Sequence, residues 1–117
     1  MSTLKADTIQ STGGGAATLT KQIVPKTFSV ASADGTTLSD SFNISSLSDD
    51  GTALQTFSLT NSMSDANYAG MATGKNSYIG IVTDSHAAGS YRTACRRFSD
   101  NALTDNSTQT SAVGDLA

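Results

Sequence analysis

His86 is the single histidine of this 117-residue chain, and it follows Asp84 and Ser85. Those three types make nucleophilic triads, but triad members converge in space rather than in a row. His86 reads as an exposed loop residue. Cys95 is the single cysteine, which excludes an intrachain disulfide and any multi-cysteine metal site. Arg92 and Arg96 nearby could depress its thiol pKa, but a small buried hydrophobe is the simpler reading. Asp49, Asp50 and Asp84 offer hard oxygens to Ca²⁺, yet a calcium loop needs several oxygens at fixed spacing. Asp before Gly51 is ordinary turn chemistry. Gly13-Gly14-Gly15 lacks the Lys-Ser/Thr of a phosphate loop and opens no helix. No catalytic residue, metal site or cofactor is expected.

The group with most binding potential is Arg92, Arg96 and Arg97 together with Tyr68, Tyr78 and Tyr91. Tyr and Arg are enriched at binding hot spots. On a strand, Arg92 and Arg96 point the same way with Ala94 between them. Two uses stand open. The arginines contact anionic sugars, or they pair with Asp across an oligomer seam. The seam reading is favoured, because ten Asp and few basic residues leave each Arg many partners.

Short strands must position these residues. All ten acidic residues are Asp and none is Glu, so a good helix former is replaced by one that prefers turns and caps. The 18 serines and 17 threonines leave little apolar area to offset backbone entropy. Charged residues are only 15%, unlike a typical disordered chain. Order through assembly is therefore expected. The net charge of −3 argues against a nucleic-acid partner. No apolar run reaches membrane-span length, and no signal peptide is visible.

Two units are expected. Residues 1–25 form an arm, a β-hairpin around the Gly13–Gly15 turn whose Ala17, Leu19, Lys21 and Ile23 alternate with polar residues. A lone hairpin is not stable in water, so Leu4, Ile9, Leu19 and Ile23 are the candidate anchoring residues. Residues 26–117 read as one domain of strands joined by turns, an antiparallel β-sandwich or barrel-like fold. Leu38, Asp40, Phe42 and Ile44 are expected to share one face, and Phe42, Ile44, Phe57 and Leu59 to face the core. Residues 84–89 read as a loop, and Tyr91 to Phe98 and Thr108 to Val113 as strands.

Two stretches also carry a resemblance. The opening Met1-Ser2-Thr3-Leu4-Lys5-Ala6-Asp7-Thr8-Ile9-Gln10, with Gly13-Gly14-Gly15-Ala16-Ala17, is similar to the start of many fibre and appendage proteins of marine phages, notably cyanophages. Asp40-Ser41-Phe42-Asn43-Ile44-Ser45-Ser46-Leu47-Ser48-Asp49-Asp50-Gly51, then Thr56-Phe57 and Met63-Ser64-Asp65-Ala66-Asn67-Tyr68, resembles the C-terminal domain of the same tail-fibre and virion-appendage family. The chain departs from that family in having Lys26-Thr27-Phe28 where a Trp-bearing strand is usual, and in lacking a long shaft. The resemblance implies a homotrimeric virion component on the tail or capsid exterior, made in the host cytoplasm. Its N-terminal arm would grip another virion protein, and its outer domain would meet a host glycan or protein. No nucleic acid or membrane partner is expected. The leading function is thus a short trimeric fibre or spike that aids host attachment. A capsid decoration (cement) protein is the alternative. A glycan-cleaving tailspike is disfavoured, since glycosidases need paired carboxylates in a cleft.

Overall fold

The computed structural model describes residues 11–14, 24–75 and 79–117. The fold is all-β: eight strands form two four-stranded antiparallel sheets packed face to face. The strands are β1 (Thr27–Ala31), β2 (Leu38–Phe42), β3 (Ile44–Gly51), β4 (Leu54–Leu59), β5 (Ala69–Gly74), β6 (Ile79–Ala87), β7 (Ser90–Arg97) and β8 (Thr108–Val113). The first sheet runs β2-β1-β8-β5 and the second β3-β4-β7-β6. Among the described residues no helix is long and apolar enough to cross a membrane. Most of the anchoring arm, including Leu4, Ile9, Leu19 and Ile23, lies outside the described residues, as does Tyr78.

Asn43 makes the crossing between the sheets. Its φ is 60°, a left-handed conformation that Asn tolerates better than most residues. Its amide nitrogen donates to the carbonyls of Lys26 and Asn61, both at 3.1 Å, and its Oδ1 accepts from the Asn61 N–H at 2.7 Å. One side chain thus ties the entry of β1, the β2–β3 corner and the end of β4. On the opposite side β5 lies against β6. A Cβ on Gly70 would stand 2.6 Å from Thr83 Oγ1 and 3.1 Å from His86 Nε2, so only glycine admits this approach.

The core holds Ala31, Phe57, Leu59, Met63, Tyr68, Tyr91 and Ala112, with Leu38, Ile44, Leu47 and Leu116 packed around it. Phe57 and Tyr91 are fully buried and stack with centroids 5.3 Å apart. The rest of the interior is polar. The inward side of β1 is Thr27, Ser29 and Ala31, and that of β8 is Thr108, Thr110 and Ala112. These hydroxyls pair with each other: Ser29 with Thr110 at 2.6 Å, Tyr91 with Thr110 at 2.6 Å, and Thr108 with Gln55 at 2.9 Å. Asn106 is buried with neither amide atom hydrogen-bonded among the described residues, a costly arrangement.

Three expectations are corrected. Phe42 does not face the core, for it is 57% exposed. The β1–β2 register slips between Val30 and Ala31, so Leu38 packs inward while Phe42 pairs with outward-facing Phe28. The chain then turns at Asn43, and Ile44 joins the core from the other sheet. Residues 84–87 are not loop but the end of β6, with a bulge at Ser85 (φ 48°). His86 is not an exposed loop residue. It stacks on Tyr68 with centroids 4.6 Å apart.

Candidate functional site

The two outer faces of the sandwich differ in chemistry. On the first sheet Phe42, Phe28, Ser111 and Met71 stand in one cross-strand row. Phe42, Phe28 and Met71 are 57%, 40% and 51% exposed, and the two phenylalanine rings stack at 6.4 Å. Asp40, opposite Val30, is the formal charge on these strands' outward side. The face is apolar and nearly uncharged because the alternation along β1 is inverted: its large residues point out and its hydroxyls point in.

On the second sheet the outer face is charged. Arg92 and Asp84 are cross-strand neighbours and form a two-point ion pair, Nε–Oδ1 at 2.9 Å and Nη2–Oδ2 at 3.1 Å. The guanidinium holds the Asp84 carboxyl below its usual range. Arg97 pairs with Asp100 at 3.0 Å. Arg96, opposite Gly80, donates to the Asn101 carbonyl at 3.0 Å and has no carboxylate in ion-pair range among the described residues. Arg96 lines an open groove of about 410 Å³ together with Gly80, Val82, Ala94, Arg97, Phe98 and Asn101.

The sequence-derived arginine–tyrosine group is therefore split. Tyr91 is fully buried, and its hydroxyl is spent on Thr110. Tyr68 is 8% exposed, and its hydroxyl donates to the Ser90 carbonyl at 2.7 Å, with the Ala87 carbonyl at 3.0 Å. Neither is a surface contact residue. Arg92, Arg96 and Arg97 do share one region of β7, but two of them are paired within the chain rather than left for a seam. Sequence reasoning missed Phe98, Phe28 and Met71. Phe98 ends β7 beside the arginines, and that adjacency was the available signal. Phe28 and Met71 carried none, because apolar residues on a period-2 strand are assigned to a core by default.

No group of three or more His, Cys or Asp side chains that could hold a metal occurs among the described residues. Burial pushes the Cys95 thiol up to about 11, with Asp105 adding to the effect. Burial likewise pushes Tyr68 up to about 12 and raises Tyr91. All three are neutral in the fold and would ionise more readily once unfolded. Their stabilising effect is complete below the unfolded values and is lost as pH rises through the folded ones. Stability should therefore hold at neutral pH and decline from about pH 9 toward about pH 12. Urea unfolding across that range measures it; a flat profile would contradict the burial assigned to these groups. By the same burial, Cys95 should resist iodoacetamide at pH 8 in native protein and react fully once denatured. No protein-family model, no curated protein and no solved structure matches this chain.

Proposed function

We propose that this chain is a non-enzymatic structural component of a bacteriophage particle, a short trimeric fibre or spike that helps the particle attach to its host. The observation that carries the assembly half is the exposed apolar row of Phe28, Phe42 and Met71, on a face whose formal charge is Asp40. Large exposed apolar patches mark interaction sites, and the occupant that fits this one is another copy of the chain. Each copy has net charge −3, so copies repel least across a face that carries little of that charge. An interior filled largely by hydroxyl side chains gives each copy a further reason to gain stability by association.

The phage half rests on the resemblance of residues 40–68. Residues of that stretch recur at the fold's joints. Asn43 makes the crossing between sheets, and Phe57 fills the core. Met63 is buried and bridges to Leu116, Asp65 accepts from the Asn67 N–H at 2.7 Å, and Tyr68 anchors the β6–β7 turn. A signature so placed specifies a scaffold.

Immunogold labelling or cryo-electron microscopy of the particle tests the reading. Copies at a tail or vertex site are expected. Copies at every local three-fold axis of the shell would replace the appendage with cement, and absence from particles would remove both. Removing residues 1–25 should leave a folded β domain, because the first sheet begins at Thr27, yet abolish incorporation into particles. Normal incorporation of the truncated chain would overturn the anchoring role of the arm.

A further inference from the structure

We infer that the groove beside Phe98 binds an acidic saccharide, the uronate units of a bacterial surface polysaccharide. The inference deepens the attachment half of the reading above, and rests on it only for the source of the saccharide. The floor is made by cross-strand neighbours: Gly80 lies opposite Arg96, and Val82 opposite Ala94. Phe98 stands over Gly80, where a Cβ would come within 2.9 Å of the ring. The glycine thus makes room for a ring that is 75% exposed. So exposed an aromatic gains little from the core and keeps an apolar face open to the groove.

Arg96 supplies the polar half. A guanidinium has five donors in a fixed fork that matches a carboxylate. One of them goes to the Asn101 carbonyl. Arg92 and Arg97 are neutralised by Asp84 and Asp100, whereas Arg96 has no such partner among the described residues. A flat apolar wall beside one uncompensated cation suits a ring whose C–H face packs on Phe98 and whose carboxylate meets Arg96. One guanidinium without a carboxylate partner in the groove, on a chain of net charge −3, does not suit a polyphosphate strand, which is held by many cations. If copies join through the first sheet, the groove on the second remains turned outward.

The test is isothermal titration of the full chain with a uronic-acid hexasaccharide, and with a neutral glucan hexasaccharide as control. The uronate should bind at least about tenfold more tightly than the glucan, and binding should weaken in 0.5 M NaCl, where the Debye length is about 4 Å. Arg96→Ala should weaken it at least about tenfold and Phe98→Ala about fivefold, with Lys75→Ala, at an exposed cation outside the groove, within about twofold. All three side chains are exposed, so the variants should melt like the parent. No uronate binding by the parent, equal binding of the glucan, or indifference to Arg96→Ala would each overturn the site. Uronate binding through Arg96 by a chain absent from particles would keep the site and sink the appendage reading. A particle-borne chain that ignores uronate would do the reverse.

Discussion

Phe57→Ala is expected to leave the chain largely unfolded or close to it at 37 °C. Phe57 sits fully buried at the centre of β4, stacked on the equally buried Tyr91, with Leu47 opposite it on β3. Removing a buried phenyl ring costs about 3–5 kcal/mol, and a small domain's whole margin is about 5–15 kcal/mol. This core sits toward the low end of that range, because Thr27, Ser29, Thr93, Thr108 and Thr110 occupy interior positions that aliphatic side chains usually fill. Thermal unfolding followed by circular dichroism should show the melting temperature fall by at least about 12 °C. Phe98→Ala, at an exposed ring of the same type, should change it by no more than about 2 °C. A Phe57→Ala protein that melts within a few degrees of the parent would mean that this stack on the inner face of the second sheet does not carry the packing of the core.

What the sequence disclosed and what it hid follow from one local fact. Where large residues alternate inward, as Phe57 and Leu59 do on β4, the period-2 pattern names the core. The strand over Thr108–Val113 was legible for the same kind of reason, from alternation. On β1 the rule inverts: Thr27, Ser29 and Ala31 are buried, and Phe28 points to solvent. No property of those five residues alone distinguishes the two faces. The sheet on the other side decides, because its Tyr91 hydroxyl needs the Thr110–Ser29 pair. Phe42 and Ile44 look like one face until Asn43 takes a positive φ and sends them to different sheets. Of the candidate binding group, the shared placement of Arg92 and Arg96 was readable from their spacing. That Arg92 would be closed off by Asp84 was not, since it depends on the register of β6 against β7 and on the bulge that ends it.

The inverted strand also supplies the sharpest test of assembly. Phe28→Asp should convert the proposed trimer to monomer while leaving the sandwich folded. Phe28 lies on β1, inside the first sheet, between Phe42 on β2 and Ser111 on β8. Its ring packs against Phe42 and not against the buried core, so the monomer loses little when it is replaced. Buried between copies, an aspartate would be an uncompensated charge in an apolar seam. Breaking such an arrangement costs about 3–5 kcal/mol per site, which is at least about a hundredfold in the association constant. Asp also disfavours strands, so Phe28→Thr provides the control: it removes the ring, keeps a good strand former and adds no charge. Sedimentation velocity at micromolar concentration should give a trimer for the parent, a weaker trimer for Phe28→Thr and a monomer for Phe28→Asp. Far-ultraviolet circular dichroism should coincide for all three. A parent chain that is monomeric at 100 µM would end the assembly reading. A Phe28→Asp protein that remains trimeric would move the seam off this face, leaving the charged side of the second sheet as its place and the Phe98 groove inside it.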